Sequence, residues 1–362
     1  MRNKARIHYF VHHRPDRSPG QRFRCEQYLP ALREAGFEIR WHALLNEKDD
    51  RLFYSKGNYT AKALLVLRKF FQRMRQLRDV RPGDIAFVYR EAFMLGHTFF
   101  ERQLKKRGAS LVFDFDDAIW LMEVSEGNRK LSFLKNPGKT ADICRLADLV
   151  ITGNDYLAAY ARKYAGRVEV VPTSIDTDYH APMNASFHHG KVCIGWTGSE
   201  STVKHFEILL PILRKLKEKY GERISYKLIS NSRETYPEIG LDSTPWNMER
   251  EVEDLAAIDI GIMPLPDDEW SRGKCGFKLL QYMSMGRPVL ASPVGVNTAI
   301  VDQGVNGFLA DGEEEWLEKL SLLIEDVELR KKMGAKGREK IRKDYSMQGI
   351  KDRYVALFRD LE

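Results

Sequence analysis

Three carboxylates fall within four residues at Asp114-Phe115-Asp116-Asp117, directly after the apolar run Leu111-Val112-Phe113. Carboxylates this close repel one another, which raises at least one pKa unless a cation sits nearby. Arg90 is the candidate cation: it follows the apolar run Ile85–Tyr89, and neighbouring parallel strands end on the same edge of a sheet. Such a group suits general-base work, hydrogen bonds to sugar hydroxyls or a divalent metal, while Asp116 or Asp117 also suits the cap of a following helix. Asp114, Asp116, Asp117 and Arg90 are the candidate catalytic residues.

A second constellation runs Trp270-Ser-Arg-Gly-Lys-Cys-Gly-Phe-Lys-Leu-Leu-Gln281, a glycine-bearing turn entering a helix that stops at Gly286. Unpaired N–H groups at such a helix start, with Arg272, Lys274 and Lys278 beside them, make an anion site whose natural occupant is a phosphate or diphosphate. Gly195-Trp-Thr-Gly198-Ser199-Glu-Ser-Thr-Val-Lys204 is a similar junction. There Ser199 can cap the helix and backbone N–H groups around Gly198 can face a phosphate. A third turn, Ser18-Pro-Gly20-Gln-Arg22-Phe-Arg24, combines close backbone approach at Gly20 with the charges of Arg22 and Arg24. Each alone reads equally well as an ordinary capped turn; their recurrence after strands is the signal.

The elements that must position these residues alternate. Short β-rich runs and helical patterns follow each other through most of the 362 residues, broken by a polar, proline-bearing stretch from Pro172 to Gly190. Near-continuous apolar strands alternating with helices imply parallel sheets covered on both faces. The expected α/β fold has two Rossmann-like domains facing a cleft: 1–175, a linker at 176–190, and 191–345, followed by a terminal helix over 346–362. Helices are expected over Arg22–Ala35, Lys62–Arg78, Ala92–Arg107 and Val203–Tyr220, among others.

Composition narrows the function classes. Hydrophobic residues at 43% and aromatics at 11% exclude disordered and collagen-like chains. Four widely spaced cysteines exclude a disulfide scaffold or zinc ribbon and suggest a reducing compartment. No apolar run is long enough to span a bilayer. Residues 51–81 hold nine basic side chains against one acid, an excess larger than the +7 of the whole chain. On a helical wheel Leu64, Val66, Leu67, Phe70, Phe71, Met74 and Leu77 share a broad arc, with Lys62, Arg68, Lys69, Arg73 and Arg75 elsewhere. Either that apolar arc packs on the sheet with its charges solvated, or the Lys62–Arg78 helix lies on an anionic membrane. Nucleic acid is not expected, because no recognition motif accompanies the charge. His12, His13, His188, His189 and His205 lack metal-ligand spacing and are expected at the surface or in loops.

The blocks Ala147-Asp-Leu-Val-Ile-Thr-Gly-Asn154, Val170-Val-Pro-Thr-Ser-Ile-Asp176, Gly195-Trp-Thr-Gly-Ser199, Tyr282-Met-Ser-Met-Gly-Arg-Pro-Val289 and Asn306-Gly-Phe-Leu309 occur in one order. With Arg90-Glu-Ala-Phe and Asp114-Phe-Asp-Asp-Ala-Ile-Trp120, they resemble GT-B fold glycosyltransferases of the large retaining family 4, across nearly the whole chain. The resemblance implies a nucleotide-sugar donor on the second domain and a glycan or lipid-linked acceptor on the first. It also implies a last helix that crosses back to the first domain. It places Gly198, Ser199, Lys204, Lys274, Gly276 and Lys278 at the donor diphosphate, Gln281 at the ribose, and Gly20, Arg22 and Arg24 in a phosphate or acceptor loop. The usual pair of glutamates eight positions apart falls here on Gly273 and Gln281, leaving Asp268 or Glu269 to reach the sugar. That loss motivates a second reading, a non-catalytic sugar-nucleotide-binding or scaffold protein. Asp114-Phe-Asp116 also matches a short metal-holding signature of another glycosyltransferase fold, so a metal-dependent transferase is a third. The favoured site holds no metal or cofactor, with cations and helix ends stabilising the departing diphosphate. A cytoplasmic protein, peripheral on the inner face of the membrane, is expected.

Overall fold

A computed structural model describes residues 5–121, 136–183, 190–232 and 234–362; His188, His189 and part of the expected linker lie outside them. The chain forms two compact units, Met1–Thr173 with Ile350–Glu362, and Ser174–Gly349.

Unit 1 runs β1 (Arg6–Val11), α1 (Pro19–Arg24), α2 (Leu29–Glu34), β2 (Glu38–Ala43), α3 (Glu47–Tyr54), α4 (Tyr59–Gln76) and β3 (Ile85–Tyr89). It continues with α5 (Phe99–Lys106), β4 (Ser110–Phe115), α6 (Lys139–Leu146), β5 (Leu149–Thr152), α7 (Asp155–Ala161) and β6 (Val168–Val170). The strands form one sheet in the order β2-β1-β3-β4-β5-β6, with every pairing parallel. β3 and β5 are buried throughout, as strands covered by helices on both faces must be.

Unit 2 runs β7 (Val192–Thr197), α8 (Val203–Glu207), α9 (Leu210–Tyr220), β8 (Ile224–Ile229), β9 (Leu241–Thr244), α10 (Glu251–Ala256) and β10 (Ile260–Met263). Then come α11 (Glu269–Arg272), α12 (Phe277–Ser284), β11 (Val289–Ala291), α13 (Asn297–Ile300), β12 (Gly307–Leu309), α14 (Gly312–Glu325) and α15 (Val327–Lys340). Its parallel sheet has the order β12-β11-β10-β7-β8-β9. Two apolar clusters form its core, one around Trp196, Leu213 and Leu228, the other around Leu279, Tyr282 and Val289. The last helix, α16 (Met347–Arg359), begins in unit 2 and ends in unit 1. Tyr354 stacks on Tyr28 at 4.0 Å and Phe358 on Phe87 at 6.0 Å. Burying two such rings contributes about 2 kcal/mol each to holding this end of the chain on the unit 1 sheet.

Both sheets reverse their direction of strand addition once, between β1 and β3 and between β7 and β10. Ligands of open α/β sheets bind beyond the carboxyl ends of the strands at such a reversal. The segments following β1, β3, β7 and β10 are those that carry Gly20, Arg90, Gly198 and Lys278.

Several helices differ from expectation for local reasons. The helix expected over Arg22–Ala35 starts at Pro19 and breaks at Cys25, whose φ of −122° is not helical. The one expected over Ala92–Arg107 begins only at Phe99. Pro211, in the first turn of α9, separates it from α8. α3 was not expected; Asn46 and Asp49 start it with a reciprocal capping box.

Candidate functional site

In unit 1 the sheet edge beyond β1, β3 and β4 gathers most of the residues singled out from the sequence. Asp114, at the end of β4, is fully buried, and Arg24 on α1 is 2% exposed. The guanidinium grips the carboxylate with two bonds, Nε to Oδ1 at 3.0 Å and Nη2 to Oδ2 at 2.5 Å, and also donates to the Val171 carbonyl. Burial pushes Asp114 up to about 6, against the pull of Arg24. Each is enclosed and bound to the other, which speaks against the expectations that Asp114 faces a substrate and Arg24 a phosphate.

Arg90 holds the remaining carboxylates. Its Nε donates to Asp116 Oδ1 at 2.9 Å and its Nη2 to Asp117 Oδ2 at 2.5 Å, while Tyr89 Oη donates to Asp116 Oδ1 at 2.8 Å. Burial opposes the Arg90 charge, but Asp116, Tyr89 and Asp117 more than offset it and hold its pKa above the ordinary value. Arg90 occupies a left-handed φ of +61°, which costs a non-glycine residue about 1 kcal/mol. That conformation turns the side chain back over the end of β4. Gly20 closes the group from the other side: a Cβ there would lie 2.2 Å from Tyr89 Oη and 2.8 Å from Asp116 Oδ2. The glycine is thus required by close approach, as its turn implied. Arg22 lies apart, its guanidinium over Phe23 and 3.9 Å from Asp16.

Sequence spacing did not reveal Tyr89 or the pairing of Arg24 with Asp114, because the partners come from different strands and helices. Among the described residues no three His, Cys, Asp or Glu side chains converge as a metal site. The Asp114–Asp116 pair suits one poorly, since each carboxylate is already taken by an arginine.

His8 and His42 form a buried group at β1 and β2. His8 Nε2 is 3.1 Å from Asp84 and its Nδ1 2.9 Å from His42 Nε2. A neutral His8 protonated on Nε2 donates to Asp84 and accepts from His42, which fixes both tautomers. Burial lowers His8 and takes His42 and His12 to about 3. The unfolded chain therefore binds protons that the folded one refuses as pH falls below about 6.5, so stability drops with acid. At pH 5 His12 and His42 each cost about 2 kcal/mol, while Asp114, shifted the other way, returns about 1 kcal/mol. Urea unfolding at pH 7.5 and pH 5 is expected to show unit 1 about 3 kcal/mol weaker at the lower pH; equal stability would refute the assignment.

Unit 2 brings together the second set. β7 ends at Thr197, whose N–H donates to the buried Tyr282 hydroxyl at 2.8 Å. In the following turn a Cβ on Gly198 would lie 2.3 Å from the Trp196 ring and 2.9 Å from Lys278 Cε, so Lys278 lies across that turn. Its ammonium stands 5.1 Å above Trp196, and that of Lys274 stands 4.8 Å above Trp270. Gly276, at φ +69°, caps the start of α12, and its missing Cβ leaves room for Ile300. His205 registers how close the cations are. Burial first, then Lys278, Lys274 and Lys204, lower its pKa to about 4. Lys278 across the Gly198 turn, with Lys274 just before the N-terminus of α12, makes this end of the sheet positive and suited to a diphosphate.

Other members of that set are placed elsewhere. Gln281 is buried and its amide donates to Glu251 at 3.2 Å, so it is directed into the protein rather than toward a ribose. Asp268 caps α11 through the Ser271 N–H, and Arg272 is paired with Asp267 on the exposed surface. Ser199 Oγ lies 3.2 Å from Ser201 and Thr202 on the exposed turn. His205 is buried, not at the surface as expected. Sequence reading missed Tyr282, Glu251 and His205. A glycine inside the apolar strand β10 was the one signal for Tyr282, since a Cβ at Gly261 would lie 2.2 Å from its ring.

Residues 191–326 match the family described as glycosyl transferases group 1. An 87-residue stretch is 34% identical to the trehalose synthase of Pyrococcus horikoshii, covering 24% of this chain and 21% of that protein. The match thus spans about a fifth of that relative's length. Among solved structures, the sucrose-phosphate synthase of Thermosynechococcus elongatus superposes with a TM-score of 0.72 at 14% identity over 99% of both chains. HepE of Anabaena, solved with UDP and glucose, gives 0.67 at 13% identity over 98% of this chain and 100% of that one. An Escherichia coli trehalose-6-phosphate protein solved with UDP-2-fluoro glucose gives 0.65 at 14% identity over 99% of both. The chain has the two-sheet fold of the GT-B glycosyltransferases, and its second half carries a group 1 glycosyltransferase domain.

Proposed function

We propose that this protein is a retaining glycosyltransferase of family 4 that moves a sugar from a nucleoside diphosphate sugar to an acceptor hydroxyl. The observation that carries the reading is the gathering of Lys204, Lys274 and Lys278 around His205, beside the Gly198 turn and the start of α12, inside the group 1 domain. Fixed cations there stabilise charge that develops on the departing diphosphate, which lowers the barrier to breaking the sugar–phosphate bond. Asp116 and Asp117, oriented by Arg90 and Gly20, supply the carboxylates of unit 1 that hold a sugar or acceptor hydroxyl. The donor is a nucleoside diphosphate sugar and the acceptor a glycan or a lipid-linked glycan of a bacterial surface polysaccharide or glycolipid. The protein works in the cytoplasm on the inner face of the membrane, without a metal or other cofactor.

A thermal-shift panel of UDP, GDP, ADP and CMP, each with and without chelator, tests the donor side. A ligand that binds only the folded protein raises its melting temperature. One diphosphate is expected to do so with chelator present, and incubation with its sugar nucleotide and acceptor lipid extract is expected to transfer sugar. No shift with any nucleotide would overturn the reading. A second reading, a sugar-nucleotide-binding scaffold, is favoured by Gln281 being held by Glu251 and by the absence of a side chain at Gly273. A nucleotide shift without hydrolysis or transfer from any common donor would select it.

A further inference from the structure

α4 divides its apolar residues between two faces. Lys62, Lys69 and Arg73 are 2%, 4% and 0% exposed, whereas Leu64, Leu67 and Phe71 are 69%, 54% and 58% exposed. The expectation that the apolar arc packs inward with its charges solvated holds only in part: Leu77 is buried, Phe70 packs on Phe93, Phe99 and Phe100, and Arg68 and Arg75 are exposed. The buried cations have specific work there. Lys62 donates to the Ser55 carbonyl, Lys69 pairs with Asp49 at 2.5 Å, and Arg73 donates to the His42 and Val11 carbonyls at 2.8 and 3.0 Å. Arg73 thereby binds carbonyl groups at the ends of β1 and β2, Lys62 and Lys69 hold α3, and Leu64, Leu67 and Phe71 are left facing outward.

At 100° per residue Leu64, Leu67 and Phe71 share an arc of about 100° with Arg68 and Arg75. Both arginines are exposed, as are Lys56 and Arg78 at the helix flanks. Three large apolar side chains standing side by side in water mark a contact surface, and their neighbours say of what kind. An aliphatic and aromatic wedge framed by guanidinium groups matches a layer with apolar chains beneath anionic headgroups. A two-fold contact with a second copy would set Arg68 and Arg75 against their own equivalents, a like-charge arrangement. We propose that the outward arc of α4 docks on an anionic lipid surface, Leu64, Leu67 and Phe71 entering the acyl boundary while Arg68 and Arg75 meet the headgroup phosphates. The inference stands apart from the sugar-transfer reading, since it uses no residue of unit 2.

Vesicle co-sedimentation of the full chain tests it. The protein is expected to bind phosphatidylcholine vesicles containing phosphatidylglycerol, to ignore pure phosphatidylcholine, and to be released by salt. The double variant Leu64→Asp/Phe71→Asp is expected to lose at least about tenfold in partitioning, and Arg75→Glu a smaller factor. These positions are exposed, so melting temperatures should stay unchanged; Phe71→Ser provides a milder substitution. A tryptophan at position 64 is expected to shift its emission to the blue on anionic vesicles. No binding to anionic vesicles at low salt, or binding undiminished by the double variant, would overturn the proposal. So would a dimer in sedimentation velocity that the double variant dissociates, because a second copy would then cover the arc.

Discussion

Replacing Lys278 by alanine is expected to weaken binding of the nucleoside diphosphate that the thermal-shift panel selects by one to two orders of magnitude while leaving unit 2 folded. The size follows from what is removed and what stays. Lys278 supplies one charged partner to the diphosphate, worth about 1.5–3 kcal/mol or roughly 10- to 150-fold in affinity. Lys204, Lys274 and the N-terminus of α12 remain, so binding should weaken rather than vanish. The side chain also lies over the Trp196 ring, and losing that cation–π contact costs the fold only about 1 kcal/mol. Isothermal titration of wild type and variant with that nucleoside diphosphate, beside a melting curve, separates the two effects. Gly198→Val provides an independent route to the same outcome. Its side chain would collide with Trp196 and displace Lys278, so affinity should fall although every lysine is retained. An unchanged dissociation constant in Lys278→Ala would remove the lysine pocket from the donor site, whatever activity the protein has.

The sheet strands were legible because parallel strands buried on both faces read as unbroken apolar runs: the run Ile85–Tyr89 agrees with β3 residue for residue. The glycine turns were legible because the chain must come close to its neighbours where the sheet reverses, and Gly20 and Gly198 do so. What could not be read was partnership across the chain. Arg24 and Asp114 lie 90 positions apart, and no local pattern distinguishes an arginine waiting for a phosphate from one already bound to a carboxylate. The orientation of α4 was equally hidden. Helical periodicity reports that two faces differ, and the rule that apolar faces turn inward holds for Phe70 and Leu77 but not for Leu64, Leu67 and Phe71. That rule fails where buried carbonyls at strand ends need donors, as those of Val11 and His42 do. Register alone puts Gln281 at the ribose; it could not show that Glu251 of α10, 30 positions earlier, holds its amide.

Whether Asp114 acts on substrate or positions the residues that do is decided by stability rather than by rate. Arg24→Ala would leave a buried carboxylate without its cation and the Val171 carbonyl without its donor. Breaking one side of a buried pair costs about 3–5 kcal/mol. For a unit of this size that lowers the melting temperature by about 10 °C. Asp114→Ala should cost a similar amount through the stranded guanidinium. The double variant Arg24→Met/Asp114→Leu removes both charges at nearly constant volume and should recover most of the loss, giving a coupling of several kcal/mol in a double-mutant cycle. A substrate-facing Asp114 behaves in the opposite way: Asp114→Asn would then abolish turnover at unchanged stability, and Arg24→Ala would melt near the wild type. Asp116 provides the contrast within the same loop. Its carboxylate is bound to Arg90, whose side chain is partly exposed, so Asp116→Asn should cost about 1 kcal/mol of stability and act on turnover. The two neighbouring aspartates would then divide the work, one fixing the end of β4 and the other meeting the substrate.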